Sequence, residues 1–168
     1  MGGLGVVFCL VLSACGGSSS SDTPASTTTY PGVAEYTSLD LNSPINYAAP
    51  TLLAHYDANV LATARRQAAA NATTDEGATL GRVLFNDVRL SFNNTKSCAS
   101  CHSQSNGFVD QAQFSTGFAG GLTSAHAMRL GNVAFYQGNS MFWDKRATSV
   151  EDQATDPIQN ATEMGFDA

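Results

Sequence analysis

Cys98-Ala99-Ser100-Cys101-His102 has the spacing C-x-x-C-H, the pattern by which a c-type haem is attached to a chain. The spacing has a chemical reason. Two thiols three positions apart can add across the two vinyl groups of one porphyrin, while the adjacent imidazole supplies an axial nitrogen to the iron. Three other chemistries use parts of the same pattern. A thioredoxin-like redox pair sets its C-x-x-C beside a βαβ unit, whereas the flanks here are polar and loop-like. A structural zinc site takes four ligands, usually as two pairs. The sequence holds no second C-x-x-C, and its further histidines, His55 and His126, are isolated. A disulfide across two intervening residues would be strained and would leave His102 without a role. Haem attachment accounts for all three side chains.

The start of the chain speaks to its compartment. Leu4 to Leu12 is apolar but far shorter than the roughly 20 residues needed to span a bilayer; its length suits the apolar region of an export signal. Leu12-Ser13-Ala14-Cys15 resembles a bacterial lipobox, which predicts a lipoprotein signal peptide over 1–14 and acylation of Cys15. Met1-Gly2-Gly3 carries no Lys or Arg, a departure from the usual basic start. Residues 15–35 are rich in Ser, Thr, Gly and Pro, with little to bury, and are expected to form a flexible tether reaching on the order of 20 Å. Gly16 is not the aspartate that retains a lipoprotein in an inner membrane. The expected location is therefore the periplasm, on a lipid anchor in the outer membrane. Of the four cysteines, Cys9 leaves with the signal and Cys15 takes lipid, so Cys98 and Cys101 remain for the haem.

Composition bounds the rest. With 168 residues, 43% of them apolar and only 13% charged, there is room for one compact domain, expected over residues 36–168. The formal charge of −6 argues against nucleic acid, whose phosphates call for a basic surface. It suits instead a small electron donor with a basic rim.

Periodicity predicts helices. Leu52, Leu53, Tyr56, Val60, Leu61 and Ala64 recur at three- and four-residue steps, predicting a helix over Thr51 to Ala70 with Pro50 at its start. A second is expected over Glu76 to Asn86 with Leu80, Val83, Leu84 and Phe85 inward, and a third near Ala125 to Phe135. Ser149-Val150-Glu151-Asp152 reads as a capping box opening a short helix toward Thr155. Leu90 to Thr95 reads as a polar connector and Gly107 to Gly121 as a loop. The fold class is mainly α, a cytochrome c-like haem domain with long loops.

Several runs, in order and spacing, resemble the N-terminal haem domain of the bacterial di-haem cytochrome c peroxidases, a family that also includes the methylamine dehydrogenase maturation enzymes. They are Leu80-Gly81-Arg82-Val83-Leu84-Phe85-Asn86-Asp87, Arg89-Leu90-Ser91, Ser97 to His102, Phe142-Trp143-Asp144-Lys145-Arg146-Ala147 and Glu163-Met164-Gly165. The resemblance implies a periplasmic enzyme that reduces hydrogen peroxide to water with electrons from a small cytochrome c or copper protein. It implies haem c on Cys98 and Cys101, His102 as proximal ligand, Glu163 as a distal-side glutamate and Trp143 as an aromatic between two haems. A carboxylate in a partly dry pocket, its pKa raised by desolvation, can shuttle a peroxide proton. Asp144 and Arg146 are expected to form a structural ion pair. Arg82 and Arg89 stand either near haem propionates or as solvated helix charges.

Where the family pattern and this sequence part, the expectations change. Matching Gly117 to the family's loop glycine puts Phe118 where some members carry a second histidine, so the iron is expected to be five-coordinate at rest. His126, Met128, Met141 and Met164 are the other candidates for a sixth ligand. His126 stands where the family usually has an asparagine near an interdomain calcium site, which puts calcium in doubt. The single C-x-x-C-H and the end of the sequence just after Gly165 predict an N-terminal part of a longer protein, without the C-terminal haem domain. Two other functions use the same residues: a mono-haem electron-transfer cytochrome without catalysis, and oxidative maturation of a partner protein.

Overall fold

The computed structural model describes residues 38–64, 71–136 and 140–166. The expected signal peptide, Cys15, the tether and residues 65–70 of the first expected helix lie outside the described residues. Among those described, regular structure is helical, in agreement with the mainly α reading. The helices are α1 (Ala58–Ala64), α2 (Asp75–Asn86), α3 (Cys98–Cys101) and α4 (Val150–Gln159). Short 3₁₀ turns lie at Val88–Leu90, Gln104–Asn106 and Val133–Phe135. Among the described residues, extended pairing is limited to isolated bridges, Ser103 with Val109, Thr116 with Leu122 and Met141 with Ala147. No described helix is long and apolar enough to cross a membrane.

The first expected helix begins later than its periodicity indicates. Asp57 caps it, with Oδ1 accepting from the Val60 N–H at 2.8 Å; an aspartate at this position satisfies donors that the first turn leaves open. Leu52 and Leu53 are exposed on the approach. Tyr56 is held elsewhere: its ring lies 4.8 Å from that of Phe135, and its hydroxyl donates to Asn132 Oδ1 at 3.0 Å. A long-range contact here outweighs the local helical pattern.

Helix α2 forms as expected, with Thr74 Oγ1 accepting from the Gly77 N–H and Asp75 and Glu76 favourably placed in the first turn. Its inward face is corrected. Thr79 is buried and Val83 and Phe85 are half-buried, whereas Leu80 and Leu84 are 58% and 39% exposed. The reason is rotation: α2 packs on α3, and Phe85 meets the Phe108 ring edge-on at 6.3 Å, which turns the Leu80–Leu84 stripe outward.

The third expected helix is absent; only the turn Val133–Phe135 is helical. Residues 125–132 make other bonds. The His126 carbonyl accepts the Trp143 indole N–H at 2.8 Å, so it is engaged outside any helix ladder. Asn132 adopts the left-handed region at φ 63°, which interrupts helical winding. The last helix starts as expected, with Ser149 Oγ accepting from the Asp152 N–H. The return bond of the box is shifted by one residue, from the Thr148 N–H to Asp152 Oδ2 at 2.9 Å. The helix also runs past Thr155, through Pro157, to Gln159.

Tight polar knots position the elements around α3. Ser91, fully buried, donates to the Val88 carbonyl at 2.9 Å and accepts from the Thr95 and Lys96 N–H groups at 3.1 and 3.0 Å. These bonds set the direction in which the chain enters the C-x-x-C-H turn.

Candidate cofactor site

Helix α3 is a single turn. Cysteines at its two ends stand three residues apart, so both side chains project from one face. The Ser97 N–H donates to Ser100 Oγ at 3.0 Å, and the His102 N–H donates to the Cys98 carbonyl at 2.9 Å, closing the turn. Cys98 and Cys101 are free and half-buried. Burial pushes both thiols up in pKa; at Cys101 the Ser115 hydroxyl partly offsets it.

His102 is oriented by the loop that follows it. Gly107 takes φ 70°, a conformation open to glycine, and Phe108 follows at φ 62°. That second residue is strained by roughly 1–3 kcal/mol and is fixed by its N–H to the Ser103 carbonyl at 2.8 Å and by the Phe85 contact. The loop thereby presents the Phe108 carbonyl to His102 Nδ1 at 3.1 Å. A carbonyl only accepts, so Nδ1 carries a proton, and in the neutral ring Nε2 then keeps its lone pair. That tautomer suits iron ligation.

Glu163 sits on a turn folded back over the end of α4. Asn160 Oδ1 accepts from the Thr162 and Glu163 N–H groups at 2.8 and 3.2 Å. The Met164 and Phe166 N–H groups donate to the Pro157 and Ile158 carbonyls, which satisfies groups that a helix end leaves unpaired. Met164 is 4% exposed and anchors the turn, and Gly165 takes φ 63°. Two other segments grip it from outside: Phe92 N–H donates to the Met164 carbonyl and Phe118 N–H to the Glu163 carbonyl, both at 2.9 Å.

These pieces border one cavity of about 560 Å³, within the range of small-molecule and cofactor sites. Cys101, His102, Met141, Phe142, Trp143 and Glu163 are among its walls. Burial raises the Glu163 pKa; the Arg146 guanidinium opposes that shift and the Asp156 carboxylate adds to it. Arg146 is itself held by Asp144 at 3.0 Å and Asp156 at 3.2 Å, over the Phe142 ring at 3.5 Å. The Asp144–Arg146 ion pair is thus present. Trp143, 64% exposed, forms an edge of the cavity with its indole nitrogen bound to His126.

The remaining candidates divide. His126, Met128 and Met141 line the cavity, but His126 Nε2 is engaged with the Asp110 carbonyl at 3.0 Å. Met164 is packed in the core, outside the cavity wall, so it does not present its sulfur there. Phe118 packs edge-on against Phe92 at 5.9 Å and over Gly165. Neither Arg82 nor Arg89 is part of the cavity wall; Arg89 pairs with Asp87, and Arg82 lies 3.5 Å from the Tyr47 hydroxyl. No cluster of three or more His, Cys, Asp and Glu able to hold a metal ion occurs among the described residues. Sequence reasoning missed Ser115, Asn160 and the Phe108 carbonyl, none of which carries a local signal.

Residues 75–168 match the family described as di-haem cytochrome c peroxidase. The chain belongs to the di-haem cytochrome c peroxidase family. Among similar members, cytochrome c peroxidase Ccp of Escherichia coli is 40% identical over 85 residues, which are 51% of this chain and 18% of that protein. Methylamine utilization protein MauG of Methylophilus methylotrophus is 37% identical over 97 residues, 58% of this chain and 28% of that one. Cytochrome c551 peroxidase of Pseudomonas aeruginosa is 36% identical over 85 residues, 51% of this chain and 24% of that protein. A crystal structure of a MauG-like protein associated with microbial copper homeostasis shares the fold at a TM-score of 0.57 and 33% identity. The match covers 61% of this chain and 30% of that one. The chain spans about a fifth to a quarter of the length of these peroxidase relatives. As the family name states, its members are haem proteins; the two free thiols on one turn, the His102 ring and the cavity, which Cys101 lines and Cys98 does not, fit that cofactor.

Proposed function

We propose that this chain is the peroxide-binding haem part of a cytochrome-c peroxidase. Cys98 and Cys101 would hold a c-type haem, His102 would ligate its iron, and Glu163 would move protons as hydrogen peroxide is reduced to water. One observation carries this reading: Cys101, His102 and Glu163 open onto the same cavity although Glu163 lies some sixty residues further along the chain. When bound, the haem supplies the iron and the electron path that the chemistry needs.

The protein supplies position and protons. Reduction of peroxide to two waters consumes two electrons and two protons. A base must take a proton from one peroxide oxygen and an acid must deliver one to the other. Glu163 can do both, because a half-buried carboxyl holds its proton at higher pH than an exposed one. Its backbone is pinned by Asn160 and Phe118, which fixes the point from which the side chain enters the cavity. Trp143, exposed at the cavity edge, is the aromatic through which electrons arrive. The donor is a small cytochrome c or copper protein with a basic rim, complementary to the net charge of −6. The lipobox-like run ending at Cys15 supports a periplasmic, lipid-anchored setting.

The test is rapid mixing of the haem-loaded protein with hydrogen peroxide, following the haem absorption band across pH. The base form of Glu163 is the carboxylate, so the rate should fall as pH drops through its pKa. Burial raises that pKa, so the acid limb should lie above the ordinary carboxylate range. An acid limb at or below the ordinary range contradicts the assignment.

A second reading draws on Met128 and Met141, whose thioethers line the same cavity. A His/Met axial pair is typical of electron carriers. A low-spin ferric spectrum indifferent to peroxide would select that reading.

A further inference from the structure

Ser115 Oγ is the single buried side-chain polar atom among the described residues with no hydrogen-bond partner. Its residue is 1% exposed and forms part of the cavity wall beside Cys101 and His102. The backbone cannot swing it to solvent: the Ser115 N–H donates to Thr123 Oγ1 at 2.9 Å, and the Thr123 N–H donates to the Ser115 carbonyl at 2.9 Å. Thr123 is tied in turn to the Ala125 carbonyl. A hydroxyl fixed in this way and left unpaired is costly, and native proteins seldom tolerate one without a function.

Two acceptors lie near it. The hydroxyl lies beside the Cys101 sulfur and the Asp110 carboxylate, yet has a hydrogen bond to neither. Asp110, whose Oδ1 accepts from the Ala112 N–H at 2.9 Å, is an acceptor whether or not a cofactor is bound. Cys101 differs, because attachment to a porphyrin would turn its thiol into a thioether with lone pairs and no proton of its own. We propose that Ser115 donates a hydrogen bond to the Cys101 thioether sulfur of the bound haem, positioning that edge of the ring and drawing electron density from it. This rests on the haem assignment above.

The test is Ser115→Ala in the haem-loaded protein, a change too small to disturb packing. Hydrogen bonding around a cofactor tunes its potential. Losing a donor should weaken the preference for ferrous over ferric haem about threefold, or about 28 mV lower at 59 mV per tenfold for one electron. The resonance Raman band of the thioether C–S bond should shift, and the holoprotein should melt at a lower temperature. An unpartnered hydroxyl with no cofactor contact predicts the opposite: unchanged potential, unchanged C–S band and equal or greater stability. That result overturns the proposal while leaving the haem assignment intact, whereas protein without thioether-linked haem overturns both.

Discussion

Glu163→Gln is expected to keep its haem and to react with hydrogen peroxide about 10²–10⁴ times more slowly, the usual contribution of a positioned acid–base group. Stopped-flow mixing gives the rate, and the resting haem spectrum reports whether the site survives. The substitution has a second signature. Burial raises the folded-state pKa of Glu163, so the protein binds that proton more tightly folded than unfolded. The stabilisation this gives is complete below the unfolded pKa and is lost as pH rises through the folded one. At neutral pH the ionised carboxylate therefore opposes folding, and Glu163→Gln should melt higher than the parent there, with the difference vanishing in acid. A variant slower with peroxide and more stable at neutral pH separates an acid–base role from damage. Unchanged reactivity removes Glu163 from the mechanism.

Gly117→Ala should be the most damaging single-methyl change. A Cβ at Gly117 would overlap the Thr162 carbonyl oxygen and fall 3.1 Å from that of Glu163. Both obstacles are backbone, so neither can turn aside. The segments must separate, breaking the bond from the Phe118 N–H to the Glu163 carbonyl. Overpacking of this kind costs about 3 kcal/mol, or roughly 10 °C in melting temperature for a domain of this size. Peroxide reactivity should fall with it, because the Glu163 turn loses its outer support. Gly81→Ala is the control. Nothing lies within 4 Å of its added carbon, and in the interior of α2 alanine should stabilise by about 0.5–1 kcal/mol. Equal melting temperatures for the two variants would contradict the packing described between residues 117 and 162.

The parts legible in the sequence were those fixed by covalent chemistry or by local capping. C-x-x-C-H has its spacing dictated by a porphyrin, and the structure closes it into a single turn. Ser149 caps α4 because its hydroxyl reaches a backbone donor three residues on, an arrangement visible in a one-dimensional reading; Thr74 caps α2 in the same way, although it does not figure among the expectations drawn from the sequence. What failed was decided at long range. The apolar spacing near Leu52 and Leu53 was outweighed by Tyr56 docking on Phe135 and Asn132. The spacing from Ala125 to Phe135 was outweighed by the Trp143 indole taking the His126 carbonyl. The outward rotation of Leu80 and Leu84 follows from which face of α2 meets α3, a choice two amphipathic stripes leave open. Glu163 was reached by resemblance to a family, since a lone carboxylate carries no local mark. Ser115 had no signal at all: its burial, its missing partner and its place beside Cys101 exist only once residues 101, 115 and 123 are brought together.

Every role assigned to these residues depends on one porphyrin bound through two sulfurs. Intact-mass spectrometry of the protein made in a host with cytochrome maturation machinery tests this most directly. One covalently added haem per chain is expected, surviving denaturation and acid extraction and lost when Cys98 and Cys101 are both replaced by alanine. A folded chain of unmodified mass, colourless or yielding its pigment to extraction, would contradict it.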